Sequence, residues 1–192
     1  MSNNFFSPNK SINGGALFAT FNSKDGSIYF RLLKQIADNP SKKDNFDGKN
    51  PINIKLSQDE AADIVRAIRT NLESKFYHKF ENNTCTGNFK YYVIPAKGEF
   101  KERSGFGLSI KKTSGEKVQE VKIGFTLGSA ERLSIFLVNA LKHIMDYEHI
   151  EDMKRLKEYA AKNEQLKNSE SKEEPEPTNE SEIEVDADDF KF

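Results

Sequence analysis

Two stretches of the chain align on one another without a gap: Ile54 to Ile68 on Ile123 to Leu137. In each, the last residues of an alternating segment (Ile54 and Leu56; Ile123 and Phe125) are followed by a hydroxyl residue, Ser57 or Thr126, and then by apolar residues at helical spacing. Ala61 corresponds to Ala130, Ile64 to Leu133, Ile68 to Leu137 and, beyond, Leu72 to Leu141. Any junction of strand, cap and helix repeats apolar spacing in this way, so chance likeness and duplication both account for it. Duplication would make the chain a strand-rich half ending in a helix, twice over. Each half would have one sheet face against a helix and the other face open.

Period-2 alternation bounded by Gly, Asn, Asp and Ser predicts seven strands, over residues 17–21, 28–33, 52–56, 76–81, 89–94, 105–111 and 120–127. The first two flank a hairpin-like turn at residues 22–26. One helix begins after Ser57, where Ser57 and Glu60 have the spacing of a capping box and Ala61, Ile64, Val65, Ile68 and Leu72 form a stripe. A second runs from about Ser129 to Tyr147, burying Leu133, Phe136, Leu137, Ala140, Leu141 and Ile144. Residues 150–166 are charged with a thin Met153, Leu156, Tyr159, Ala160 line, either an extension of that helix or a frayed entry to the C-terminal segment. The expected class is α+β: two repeats of antiparallel sheet plus helix, and a disordered acidic tail. The expected division is a flexible arm over 1–13, a domain over 14–150 with halves near 14–74 and 75–150, a charged helical extension over 151–166 and the tail over 167–192.

Charge is split between body and tail. The chain has 192 residues with 29 Lys+Arg and 30 Asp+Glu. Eleven of the acids but only three of the bases lie in residues 163–192, so a tail of net −8 follows a body of net +7. Such asymmetry is typical of nucleic-acid binding or of an interaction tail. Residues 168–182 carry no aliphatic side chain that could offset the entropy of ordering. The end differs, with Asp186, Asp188, Asp189, Phe190 and Phe192 forming either part of a solubilising tail or a short peptide that docks its terminal Phe and carboxylate on other proteins. No run of 18 apolar residues and no secretory leader is present, and the single Cys85 cannot form an internal disulfide, so a soluble cytoplasmic protein is expected.

Residues out of phase with the aliphatic set are aromatic or basic on several strands. Tyr29 and Arg31 oppose Ile28, Phe30 and Leu32; Lys90 and Tyr92 oppose Phe89, Tyr91 and Val93; Lys122 opposes Val121 and Ile123; Tyr77 and Lys79 oppose Phe76 and His78. With Lys111 these make eight candidate contacts. Rings mixed with ammonium and guanidinium groups suit single-stranded nucleic acid, because unstacked bases lie on the rings while the cations hold phosphates. A structural use remains open for each residue, since Tyr packs across strands and Lys blunts sheet edges. Lys97, Lys101, Arg103, Lys111, Lys112 and Lys117 are expected in loops that thicken this charge.

Catalytic patterns are missing. His78, His143 and His149 are not spaced as metal ligands, Asp59, Glu60 and Asp63 sit where a helix start favours acids, and Cys85 falls in a stretch, residues 82–87, that reads as a turn. No cofactor, no metal and no enzymatic activity are expected.

The terminal Asp186-Ala-Asp-Asp-Phe-Lys-Phe192 after a polar acidic linker resembles the C-terminal tips of bacterial and bacteriophage single-stranded DNA-binding proteins. The doubled strands-then-helix layout of residues 14–147 resembles the Whirly, Pur-alpha and transcriptional positive cofactor group of single-stranded DNA binders. These resemblances imply open sheets presenting aromatic and basic residues to single-stranded DNA, helices in the core and often at a dimer interface, and a tail that recruits replication or repair proteins and competes with DNA. The expected partners are therefore single-stranded DNA, with RNA the other candidate, tail-binding proteins, and further copies of the chain. The source implied is a bacterium or a phage-infected cell. An OB barrel with the same role, and a basic scaffold for an acidic partner protein, are the alternatives.

Overall fold

The computed structural model describes residues 2–38, 45–96 and 101–170. They divide into two units, one up to Ile150 and one from Glu151 on. Within the first unit, β1 (Ser2–Ser7), β2 (Gly15–Asn22), β3 (Ser27–Lys34) and β4 (Ile52–Leu56) lead into α1 (Gln58–Thr70). Then β5 (Glu73–Phe80), β6 (Asn83–Ile94), β7 (Arg103–Ser114) and β8 (Lys117–Thr126) lead into α2 (Leu127–Glu170). Each set of four strands is an antiparallel meander, in the orders β1-β2-β3-β4 and β5-β6-β7-β8. The doubled α+β layout is thus the fold, and two open sheets replace the alternative barrel.

The paired junctions are built alike. Ser57 caps α1 by accepting the Glu60 amide hydrogen bond at 3.2 Å while the Glu60 carboxylate accepts from the Ser57 amide at 2.9 Å. At the aligned position, the Thr126 hydroxyl accepts from the Ser129 amide at 3.2 Å. Helix α1 ends at Thr70 because Asn71 turns left-handed (φ 54°), which leaves Leu72 outside the helix and exposed rather than in the apolar stripe.

One face of each sheet is apolar in register. Leu17, Leu32 and Ile52 stand side by side, as do Ala19, Phe30 and Ile54 on the first sheet and Phe89, Leu108 and Ile123 on the second. All are buried in one continuous core. The fully buried rings of Phe30, Phe89, Phe106 and Phe125 each contribute about 1.5–3 kcal/mol. Helix α1 reaches the second sheet, where Glu60 Oε1 lies 2.8 Å from His78 Nε2, and α2 reaches the first through Phe136 and Phe21, 6.1 Å between ring centroids. The halves are interlocked through their helices.

Three expectations change. Residues 1–13 include β1, not only an arm: Phe5 is buried, packs edge-on to Phe125 at 5.5 Å and lies under the Arg132 guanidinium. It pairs with the neighbouring β2, but its core contact, Phe125, lies more than a hundred residues along the chain, so local alternation does not show it. Of residues 82–87 only Asn82 lies in the turn, which it shares with Glu81, and Cys85 belongs to β6. Of the charged loop residues, Arg103, Lys111, Lys112 and Lys117 lie in strands; Lys97 and the 167–192 tail, apart from the last helical residues of α2, fall outside the described residues.

Candidate nucleic-acid interface

Strand parity decides what the uncovered faces present. Opposite the apolar face of the second sheet, directly paired residues form rows: Glu73, Lys90, Gly107 and Gly124; Lys75, Asn88, Ser109 and Lys122; Tyr77, Thr86, Lys111 and Glu120; Lys79, Thr84, Thr113 and Val118. Tyr92 pairs with Gly105, and Ile94 with Arg103, on the same face. Six of the eight candidate residues, Tyr77, Lys79, Lys90, Tyr92, Lys111 and Lys122, therefore meet on one surface. None is buried.

Carboxylates neutralise part of it. Lys75 Nζ lies 2.8 Å from Glu73 and Lys122 Nζ 3.3 Å from Glu120. The Lys75 ammonium, then the Asn88 amide, holds the Glu73 carboxyl below the usual carboxylate range. Lys79, Lys90, Arg103 and Lys111 have no ion-pair partner among the described residues. Between Tyr77, Asn88, Ser109 and Lys111 lies an open cleft of about 510 Å³. Tyr77 is 60% exposed, so its ring face is available to a stacking partner.

Tyr92 is placed differently. Its ring lies over main chain left bare by glycines: a Cβ on Gly105 would fall 3.2 Å from the Tyr92 hydroxyl, and one on Gly107 or Gly124 at 3.7–3.8 Å from the ring or hydroxyl. Gly105 is the strict case, since its Cβ would also collide with the Phe125 carbonyl. The Tyr92 side chain thus packs against glycine backbone while staying part-exposed.

The remaining two candidates, Tyr29 and Arg31, sit on the uncovered face of the first sheet. There Phe18, Arg31 and Asn53 form one row and Thr20, Tyr29 and Lys55 the next, around a cleft of about 570 Å³. Phe6 stands edge-on to Phe18 at 5.7 Å and tilted against Phe46 at 5.8 Å, with more than half of its own surface exposed. The Tyr29 hydroxyl donates to Asp25, and this bond depresses the Asp25 carboxyl while raising the Tyr29 phenol. The Arg31 guanidinium donates to the Gly48 carbonyl at 3.3 Å.

Sequence reasoning passed over Phe6, Phe18, Asn53 and Lys55 on this sheet and Lys75 and Asn88 on the other, and it expected Arg103 in a loop where the structure has it in β7. Phe18 carried a usable signal, since it is an aromatic residue out of phase with Leu17, Ala19 and Phe21. Away from both faces, His78 is held by Glu60, His143 stacks on Phe21 at 5.7 Å, and burial raises the Cys85 thiol. Among the described residues, no group of three His, Cys, Asp or Glu side chains is placed to hold a metal ion, and no helix is long and apolar enough to cross a membrane.

No protein-family model and no curated protein matches the sequence. Solved structures do match the fold. The WHY1 protein of Arabidopsis thaliana superposes with a TM-score of 0.56 at 11% identity, over 81% of this chain and 91% of that one. MRP1/MRP2 of Trypanosoma brucei superposes at 0.53 with 15% identity, over 77% of this chain and 87% of that one. A guide-RNA-binding protein complex bound to its guide RNA gives 0.52 at 15% identity, over 74% and 90%. At such identities the likeness is one of architecture, and the architecture of this chain is Whirly-like.

Proposed function

We propose that this chain is a non-catalytic, sequence-tolerant binder of single-stranded nucleic acid, single-stranded DNA above all, serving replication, recombination or repair in the cytoplasm. The observation that carries the reading is the second sheet's uncovered face, which sets Tyr77 and Tyr92 among Lys79, Lys90, Arg103 and Lys111 with only Glu73 and Glu120 of opposite sign. A flat face of rings and cations fits unstacked bases and their phosphates better than a duplex whose bases are already paired. That a guide-RNA-binding complex shares the architecture supports nucleic acid as the ligand class.

The acidic tail, net −8 beside a body of +7, acts as a tethered polyanion that competes for this face and offers its Phe-ending tip to partner proteins. Ile135, Val138 and Met145 are exposed on α2 and support assembly into a homodimer or higher oligomer. Fluorescence titration with single-stranded oligomers of graded length tests the reading. Micromolar or tighter binding that weakens steeply with salt is expected, with duplex bound more weakly. Tyr77→Ala and Tyr92→Ala should each weaken binding about fivefold or more, corresponding to roughly 1–3 kcal/mol per stacked base. Deleting residues 163–192 should tighten it. Salt-insensitive or undetectable binding would refute the proposal and favour a protein-binding scaffold.

A further inference from the structure

Strands inside a sheet have neighbours on both sides, so unused main-chain groups gather at the edges. Two of the edges meet each other: the Gly124 amide of β8 donates to Ser7 Oγ at the end of β1 at 3.1 Å, and a Cβ on Gly15 would fall 2.7 Å from the Val121 side chain of β8. The β4 edge is short, Ile52–Leu56. β5 differs from these. It is the outer strand of the second sheet, runs from Glu73 to Phe80 and pairs on one side with β6. Among the described residues, no main-chain hydrogen bond is made on its other side. A row of free N–H and C=O groups of that length is a template for a further strand.

The side chains then select which strand fits. On the uncovered face β5 presents Glu73, Lys75, Tyr77 and Lys79, all exposed. Laid antiparallel on a second copy, with Phe76 opposite Phe76, this order complements itself. Glu73 stands opposite Lys79 of the second copy and Lys75 opposite its Tyr77, and twofold symmetry makes each pair twice. Opposite charges, and an ammonium group beside an aromatic ring, are favourable cross-strand pairs. Paired residues share parity, so both uncovered faces lie on the same side. The next registers of that parity set Lys75 opposite Lys75 or opposite Lys79, where like charges repel. Both partners of the main pair are available. Lys79 forms no ion pair among the described residues, and the Glu73 carboxylate, which accepts from Lys75 and Asn88 at 2.8 Å each, has lone pairs for a third donor. The lysines that guard this edge against foreign strands thus favour the chain's own copy.

We infer that β5 is a self-docking edge through which two copies join antiparallel, turning two four-stranded sheets into one continuous sheet. The join sets the two Tyr77 rings at diagonal positions across the seam, each opposite a lysine of the other copy, and so extends the outward face across both chains. The seam adds about six main-chain hydrogen bonds. It is smaller than the standard protein interface of about 1,600 Å², so it forms at protein concentrations on the order of tens of micromolar and is open at nanomolar ones. Only the use of the joined face rests on the proposed single-strand binding; the pairing itself needs no nucleic acid.

Sedimentation velocity of the full chain at low salt, from about 1 to 200 μM, provides the test. The mean mass is expected to double across that range. Glu73→Lys and Lys79→Glu, each alone, set like charges opposite one another at both ends of the seam and should abolish the doubling. An equimolar mixture of the two variants restores opposite charges at both ends and should recover it, as should the double variant Glu73→Lys with Lys79→Glu. Association through α2 would not respond to this exchange. Circular dichroism establishes that each variant is folded. Absence of doubling in the unaltered chain would overturn the inference, as would single variants that still associate, or folded variants that neither the mixture nor the double substitution restores. Doubling without binding of single-stranded oligomers would keep the seam and remove the general proposal, whereas binding without doubling would do the reverse.

Discussion

Alanine at Lys90 and Lys111 should change how salt weakens nucleic-acid binding, by an amount the structure sets. Each phosphate contact on a single strand contributes a slope of about −0.7 in log affinity against log salt. Among the described residues Lys79, Lys90, Arg103 and Lys111 form no ion pair, while Lys75 and Lys122 are neutralised by Glu73 and Glu120. Four unneutralised cations on the uncovered face of the second sheet, among the described residues, imply a slope near −2.8, so affinity should fall about 50-fold between 50 and 200 mM salt. The double substitution Lys90→Ala with Lys111→Ala should halve the slope, to about −1.4, and reduce that fall to about sevenfold. Lys122→Ala should alter the slope far less, because its charge is already met by Glu120 at 3.3 Å. The assay is fluorescence anisotropy of a labelled 15-mer at four or more salt concentrations, comparing variants of the full chain so that the tail's own competition is common to all. If Lys122→Ala lowers the slope as much as Lys90→Ala, the division into neutralised and free cations is wrong. An unchanged slope in the double variant would remove the second sheet from the binding surface.

Other consequences are open to direct measurement. A methyl group on Gly87 would occupy the space of the Phe76 ring, so Gly87→Ala should destabilise by about 3 kcal/mol in urea denaturation, yet cost almost nothing in a Phe76→Ala background. Additive costs would show that the ring does not lie across the glycine. Gln35→Ala leaves the Asn9 and Gly14 amides without their acceptor and should cost about 2–4 kcal/mol by the same method. The Asp25 carboxyl, held low by the Tyr29 hydroxyl, stabilises the native state above its unfolded pKa, and that contribution disappears as pH falls through the folded value. Tyr29→Phe should raise the Asp25 pKa in a carboxyl-carbon NMR titration; an unmoved titration would mean the hydrogen bond is not formed in solution.

Much of this architecture is legible residue by residue, and the exceptions share a cause. Ser57, Glu60, Ala61, Ile64, Val65 and Ile68 interact within a turn or two of each other, so their spacing alone discloses the capped, amphipathic helix. Parity along β3, β6 and β8 likewise shows which side Tyr29, Arg31, Lys90, Tyr92 and Lys122 take. Strand β1 escapes because Phe5 is held by Phe125 and Arg132, more than a hundred positions away. The first part of β6 escapes because Gly87 among polar residues resembles a turn, when its missing side chain is what accommodates Phe76. Nor does local pattern disclose the fixed shape of the β1–β2 loop, which depends on a buried glutamine whose partners are set only when the chain closes on itself.

The exchange of helices between the halves also has a mechanical consequence. With α1 braced against one sheet and α2 against the other around a single interior, the separation of the two outward surfaces is set by the protein and does not adjust to what lands on them. A ligand spanning both must bend to suit. A polymer with soft backbone torsions does so at little cost, whereas double-helical DNA resists bending over some 150 base pairs. Rigidity in the receptor would by itself sort pliant strands from stiff ones, before any side chain is consulted.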